Sequence, residues 1–156
     1  MPAEVPLSSR ALFDGKIVRV RVDTVRLPNG GRASREVVEA QPAVVVVPID
    51  ADDNVLLVRQ YRYAVGATLL EAPAGKVEGS EAPAECAQRE LQEETGHMAR
   101  SLRSLGQFWM SPGFCTELMY AYVARDLAPS ALEPDPDEFI ETVKTPVSSI
   151  SGLIQR

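Results

Sequence analysis

One strongly marked helix, set between segments rich in β-branched residues, constrains the fold of this 156-residue chain more than any other feature. The helix is predicted over residues 81–95. Ser80 can cap its first turn, Pro83 falls where no backbone donor is needed, and Gly96 ends it. Residues 75–79 begin and end with glycine and are predicted to form the loop that leads into it.

The rest of the chain favours strands. Alternating or continuous apolar patterns mark residues 16–27, 35–39, 43–49, 55–60, 101–109, 118–124 and 139–143. A final helix is expected from Pro146, and residues 1–10 are expected to be a loose lead-in. The sequence contains no repeat, linker or low-complexity tract, so residues 1–156 are predicted to form a single mixed α/β domain.

Composition excludes several classes of protein. A hydrophobic fraction of 45% with 24% charged residues is typical of a globular protein rather than a disordered one. The longest apolar run, residues 44–47, is far below the roughly 20 residues that span a bilayer. Glu4 and Pro6 interrupt any apolar leader, so a cytoplasmic location is expected. Cys86 and Cys115 lack disulfide or metal-site spacing and are predicted to be packing residues.

Acidic residues are concentrated in two places. Six of the 22 lie in residues 75–96 and five in residues 133–141, which leaves the remainder mildly basic. This distribution argues against nucleic-acid binding, which needs a broad basic face. It favours a divalent-cation site that serves a phosphate-bearing ligand. The alternative is two solvated acidic surfaces.

Three glutamates share one face of the predicted helix. Glu90, Glu93 and Glu94 stand at positions i, i+3 and i+4, where like charges oppose one another. Arg89 can offset part of that repulsion, and a bound Mg²⁺ ion would offset the rest. A solvated helix face is the alternative. The residues expected to pack on the sheet from the opposite face are Ala84, Ala87, Leu91 and Thr95.

The spacing around these glutamates resembles the Nudix box, placed here at residues 75–97. From Gly75, five residues lead to Glu81 and seven more lead to Arg89, followed by the sequence ELQEETG at residues 90–96. All seven fixed residues of the box match, and only its last apolar position differs, where His97 stands. His97, the only histidine, is expected to be structural.

The resemblance extends over about residues 15–150 and favours the ADP-ribose pyrophosphatase branch of the Nudix hydrolases. It is carried by residues 58–63 (VRQYRY), 70–76 (LEAPAGK) and 111–114 (SPGF), where Pro112 stands sixteen positions after Gly96. The resemblance implies an α/β/α sandwich with a mixed sheet and a loop-helix-loop box. It also implies hydrolysis of a nucleoside diphosphate linked to another moiety, with ADP-ribose giving AMP and ribose 5-phosphate.

The same resemblance implies roles for individual residues. Glu90, Glu94 and the Ala74 carbonyl would ligate Mg²⁺, for which Mn²⁺ could substitute. Glu93 would ligate a second ion or hold Arg89, which belongs to the catalytic machinery. Expected contacts to the nucleotide substrate come from Arg62, Arg35, Glu71, Pro112, Gly113 and Glu117, and candidates for stacking on adenine are Tyr61, Phe108 and Trp109.

A carboxylate on a late loop acts as general base in this branch. Glu138 is the predicted base, and Asp135 and Asp137 remain alternatives because all three lie in the second acidic cluster. The resemblance further implies a homodimer formed through N-terminal strands at about residues 15–40, with a monomer as the alternative. It also implies a final helix that continues past Arg156.

Two other functions stay open at this point. The chain could hydrolyse a different diphosphate, such as a sugar nucleotide, a flavin dinucleotide or a dinucleoside polyphosphate. It could instead be a non-catalytic nucleotide sensor, although such proteins typically lose the glutamates or the arginine of the box.

Overall fold

The computed structural model describes residues 2–133 and 138–154. Its strands are β1 (Val5–Asp14), β2 (Val18–Arg26), β3 (Arg32–Ala40), β4 (Ala43–Pro48), β5 (Asn54–Arg62), β6 (Ala67–Glu71), β7 (Ala74–Lys76), β8 (His97–Trp109), β9 (Leu118–Pro129) and β10 (Glu141–Pro146), and its helices are α1 (Pro83–Thr95) and α2 (Val147–Ile154). The mixed α/β class expected from the sequence is confirmed.

The chain divides into two compact units, Met1–Pro42 with Phe108–Met119, and Ala43–Gln107 with Tyr120–Arg156. We call them the N-terminal unit and the box unit. That the whole chain acts as one domain stays a prediction.

The N-terminal unit contains an antiparallel sheet with the strand order β1-β2-β3. The expectation of a loose lead-in over residues 1–10 is wrong, because β1 occupies most of that segment and pairs with β2 along its length. All ten residues of β1 are exposed. A strand without a buried face needs no alternation of apolar and polar residues, so its sequence gives no periodic signal.

β3 also pairs with the later segment of the N-terminal unit. The Val38 N–H donates to the Phe114 carbonyl at 2.7 Å, and the Thr116 N–H donates to the Val38 carbonyl at 3.0 Å. The turn at residues 111–115 is closed by the Cys115 N–H, which donates to the Ser111 carbonyl at 2.8 Å. This pairing places Pro112 and Gly113 in an exposed turn.

The box unit contains a three-stranded sheet, β10-β5-β6, and most of a four-stranded sheet, β7-β4-β9-β8. β6 and β7 were not expected. β7 covers Gly75, which the sequence assigned to a loop, and pairs antiparallel with β4. β10 begins two residues later than the predicted strand, and α2 follows it as expected.

The core of the box unit lies between β4 and α1. Val44 and Val46 on β4 pack against Ala87 and Leu91 on α1, and all four are fully buried. Cys86 belongs to the same cluster, and burial raises the pKa of its thiol to about 12, as befits a packing residue. Neither helix in the described residues has the length and apolar character needed to cross a membrane.

Candidate active site

The position of α1 follows from local chemistry at its two ends. Ala82, not Ser80, is the N-cap residue, so the predicted cap is wrong. Glu85 takes over the role, because its carboxylate accepts the Ala82 N–H at 2.8 Å. At the other end Gly96 adopts φ 71°, and its N–H donates to the Gln92 carbonyl.

The acidic face of α1 is turned inward. Glu90 and Glu94, one turn apart, are only 7% and 6% exposed, whereas Ala84, expected to pack on the sheet, is exposed. The solvated-face alternative therefore does not apply to Glu90 and Glu94. A buried carboxylate is costly unless charge or hydrogen bonds compensate it. The helix thus carries two buried carboxyl groups whose charged forms need a partner.

Arg89 supplies part of that compensation. Its guanidinium donates to Glu81 at 2.8 Å, to Glu90 at 2.8 Å and to Glu93 at 2.9 Å. It also donates to the Lys76 carbonyl at 3.1 Å, which ties the helix to the end of β7. The pKa of Glu81 falls to about 2, mainly because of its bond to Arg89. Arg89 is therefore the centre of the charge network, and in this arrangement Glu93 holds Arg89.

Glu90 and Glu94 remain under-compensated. Burial raises the pKa of Glu90 to about 7, against the opposing effect of Arg89. Burial, followed by the charge of Glu90, raises the pKa of Glu94 to about 8. Both pKa values lie above that of an ordinary glutamate. The free energy of unfolding of the metal-free chain therefore falls as the pH rises from the ordinary glutamate pKa through about 8. A bound cation would reverse that loss.

β7 lies directly against these carboxylates. The Ala74 N–H donates to Glu94 Oε2 at 3.1 Å. A Cβ atom on Gly75 would stand 1.8 Å from Glu90 Oε1 and 2.0 Å from its carboxyl carbon. Only glycine therefore allows the strand to approach Glu90 this closely.

Gly75→Ala should accordingly displace the Glu90 carboxylate without unfolding the chain. We expect the affinity for Mn²⁺, measured by calorimetry, to fall about tenfold or more, as for groups that support a metal ligand. Gly152→Ala is the matched control, because a Cβ there meets no atom within 4 Å. Unchanged Mn²⁺ affinity in Gly75→Ala would contradict this account of the Gly75–Glu90 contact.

Two more charged groups act on the same carboxylates. The charge of Glu138 raises the pKa of both Glu90 and Glu94, and the charge of Arg62 lowers that of Glu94. Of the three predicted candidates for the base, only Glu138 can be placed, because Asp135 and Asp137 lie outside the described residues. The structure thus brings together residues from α1, the end of β5 and the segment before β10.

A divalent cation fits the donor set, although no preformed cluster is present. Over residues 2–133 and 138–154, no three His, Cys, Asp or Glu side chains converge as a metal site. The Glu90 carboxylate already accepts a hydrogen bond from Arg89, and the Glu94 carboxylate already accepts one from the Ala74 N–H. Buried carboxylate oxygens are nevertheless the ligands that hard cations such as Mg²⁺ prefer. Ligation would require these internal bonds to rearrange.

Arg62 is oriented by an acidic neighbour. Its Nε donates to Glu71 Oε2 at 2.9 Å, so two of the predicted substrate contacts are paired with each other. Tyr61, beside Arg62 on β5, is 60% exposed and is thus available for stacking rather than core packing.

The remaining predicted contacts belong to the N-terminal unit. Arg35 forms an ion pair with Glu4 at 2.5 Å, which no pattern in the sequence predicts. Glu117 is half-buried, and its carbonyl accepts the Met110 N–H at 3.1 Å. Phe108 and Trp109 are 49% and 53% exposed, so neither is a core residue.

Sequence reasoning missed several residues that shape this site. Gly75 and Glu81 were used only as motif positions, although one packs on Glu90 and the other binds Arg89. Thr142 belongs to no motif of the sequence, yet its hydroxyl donates to the Glu94 carbonyl at 3.1 Å. No local pattern marks a threonine 48 positions away from its partner.

Comparison with known proteins finds family models and a solved structure that are similar to this chain. The NUDIX domain model matches residues 39–152, and the model of the nucleoside diphosphate sugar hydrolase N-terminal domain matches residues 5–38. The crystal structure of an ADP compounds hydrolase superposes with a TM-score of 0.91 at 28% identity. That match covers 100% of this chain and 85% of the other.

Two curated relatives have different names. The ADP-ribose pyrophosphatase of Bacillus subtilis (strain 168) is 34% identical over 154 residues, which cover 97% of this chain and 83% of that protein. The methanol dehydrogenase activator of Bacillus methanolicus is 38% identical over 143 residues, which cover 90% and 77%.

Proposed function

This chain belongs to the NUDIX domain family, and on that premise we propose that it hydrolyses ADP-ribose to AMP and ribose 5-phosphate. In general terms, this reaction is the hydrolysis of the pyrophosphate bond of a small nucleotide. The observation that carries the proposal is the pair of buried carboxylates, Glu90 and Glu94, held between Arg89 and the glycine strand β7.

This family uses divalent metal ions. The proposed cofactor is Mg²⁺, and Mn²⁺ is a proposed substitute for it. Glu90, Glu94 and the Ala74 carbonyl would hold it, and Glu93 would keep Arg89 in place or ligate a second ion. When bound, the metal would neutralise the pyrophosphate and lower the pKa of a water molecule. Burial of the carboxylates supports this assignment, because Arg89 and the Ala74 N–H compensate their charge only in part and a cation would compensate the rest.

The proposed chemistry is an in-line displacement at phosphorus. Glu138 accepts a proton from the attacking water, whose oxygen forms the new bond to phosphorus. The bond between that phosphorus and the bridging oxygen breaks, and the bridging oxygen leaves with the other phosphate. Support for Glu138 comes from its electrostatic effect on both Glu90 and Glu94.

Arg62 is proposed to bind a phosphate of the substrate. The guanidinium presents a planar fork of donors, and Glu71 holds only its Nε edge, which leaves the other nitrogens for phosphate oxygens. Pro112, Gly113, Glu117 and Arg35 stay proposed substrate contacts of the N-terminal unit. For Arg35, binding would require release of Glu4.

A product assay tests the substrate. The purified chain is stripped of metal with EDTA, supplied with Mg²⁺, and offered ADP-ribose, a sugar nucleotide, a flavin dinucleotide and a dinucleoside polyphosphate in parallel. We expect the fastest release from ADP-ribose, with AMP and ribose 5-phosphate in equal amounts. Omission of Mg²⁺ should abolish the release of both products.

The other outcomes separate the alternatives. Faster turnover of another diphosphate would keep the metal chemistry and discard ADP-ribose as the substrate. The match to the nucleoside diphosphate sugar hydrolase N-terminal domain makes a sugar nucleotide the first of these alternatives. Binding without turnover of all four would favour a regulatory role, against which the retained Arg89, Glu90, Glu93 and Glu94 argue.

A homodimer formed through the N-terminal sheet is also proposed. β1 is an edge strand, and Val5, Leu12 and Phe13 on it are each more than half exposed. An exposed apolar edge strand is typical of a surface covered by a partner. The cytoplasmic location expected from the sequence stays a prediction.

A further inference from the structure

The C-terminal turn of α1 is bonded to both ends of the segment that carries Glu138. On one side Gln92 Nε2 donates to Ser130 Oγ at 2.9 Å, and the Ser130 N–H donates to the Gly96 carbonyl at 2.9 Å. On the other side Thr142 Oγ1 donates to the Glu94 carbonyl at 3.1 Å. We call the two side-chain bonds, Gln92–Ser130 and Thr142–Glu94, the loop clasp.

On the Ser130 side the backbone shares the work of the clasp, because the Leu132 N–H also donates to the Gln92 carbonyl at 3.4 Å. On the Thr142 side the clasp joins α1 and β10, between which the described residues form no backbone hydrogen bond. Glu90 and Glu94 belong to α1, whereas Glu138 precedes β10, which pairs with β5. The separation of Glu138 from the two helix carboxylates therefore depends on how α1 is held against β10. The Thr142 hydroxyl supplies a direct bond between them, on a carbonyl that the end of a helix would otherwise leave without a partner.

Chain length explains why such an anchor matters. Glu138 stands four residues before Thr142, and four residues can span about 13 Å when extended. A carboxylate that must meet one water molecule needs far tighter placement than that. The Arg59–Glu141 ion pair, at 2.9 Å, also anchors this end, but both side chains are largely exposed and such pairs hold weakly.

We infer that Thr142, through its bond to the Glu94 carbonyl, and Gln92, through its bond to Ser130, are positioning residues that set Glu138 against Glu90 and Glu94. This inference rests on the proposed function, because it takes Glu138 as the base. Neither residue touches the reacting atoms in this scheme. Loss of either bond should therefore lower turnover without weakening the binding of metal or substrate.

The test is a comparison of Thr142→Val with Thr142→Ser. Valine keeps the shape and removes the hydroxyl, so we expect kcat for ADP-ribose to fall about ten- to a hundredfold, the effect of a misplacement of about 1 Å. KM and the calorimetric affinity for Mn²⁺ should stay within about twofold, since substrate and metal ligands are untouched. Serine retains the hydroxyl and should restore most of kcat.

Thr145→Val is the matched control. It makes the same change on the same strand, at a hydroxyl that bonds to no described residue. Wild-type kcat in Thr142→Val, or an equal loss in Thr145→Val, would overturn the inference. Gln92→Ala and Ser130→Ala test the Gln92–Ser130 bond. If a thermal melt shows that Thr142→Val does not fold, kcat of these two variants tests the inference instead, and wild-type kcat in both would overturn it.

Glu138→Gln in the same series separates the inference from the proposed function. If the clasp acts through Glu138, adding Thr142→Val to Glu138→Gln should cause little further loss. Full activity in Glu138→Gln alone would overturn the base assignment and the clasp together. A loss in Glu138→Gln with an unchanged Thr142→Val would leave the base in place and overturn the clasp alone.

Discussion

Glu94→Gln should cut turnover by about a thousandfold in Mg²⁺, because a metal ligand worth several kcal/mol of transition-state stabilisation is removed. The fold should persist. The amide oxygen of glutamine can still accept the Ala74 N–H that Glu94 now accepts. At neutral pH the Glu94 carboxyl of the metal-free chain is mostly protonated, since burial raises its pKa to about 8, so a neutral amide in its place should leave that chain as stable as wild type.

The measurement is kcat for ADP-ribose in Mg²⁺, with thermal melts of the metal-free proteins beside it. Glu85→Gln is the matched control, because it neutralises an exposed glutamate on the same helix and keeps an oxygen to cap Ala82. Near-wild-type turnover in Glu94→Gln would contradict the metal assignment. A collapse of the melting temperature in Glu94→Gln would instead show that the residue serves the fold.

Glu138→Gln should lower kcat by about a hundred- to ten-thousandfold, the usual contribution of a general base. Glutamine has a similar shape but cannot accept the proton of the attacking water. KM and the Mn²⁺ affinity should change little, because Glu138 is not assigned as a metal ligand. The comparison of kcat at saturating Mg²⁺ with the calorimetric affinity for Mn²⁺ checks both expectations.

The neighbouring acids provide the control for that result. Asp135→Asn and Asp137→Asn should retain most of kcat if Glu138 is the base. Retained kcat in Glu138→Gln with a loss in one of the aspartate variants would move the role to that residue. A loss of Mn²⁺ affinity in Glu138→Gln would make Glu138 a metal ligand instead.

Helix α1 could be predicted because its signals are local. Pro83 and Gly96 act within one turn of the helix ends, and the bounds follow from the backbone conformations they permit. The family could be recognised for the same reason, since the box fixes seven residues over a short stretch. β1 escaped prediction because none of its residues is buried, so its sequence shows no alternation of apolar and polar residues, although its partner β2 follows after only residues 15–17.

The sequence by itself determined which residues are the candidates for the chemistry: the glutamates of the box, Arg89, Arg62 and the late acidic cluster. Only the tertiary structure decided what surrounds them. It buries Glu90 and Glu94 and brings Gly75 against Glu90. It also bonds Thr142 to the Glu94 carbonyl, which lies 48 positions away in the sequence. Spacing along a chain reports which side chains share a helix face, whereas strand pairing decides which backbone faces them.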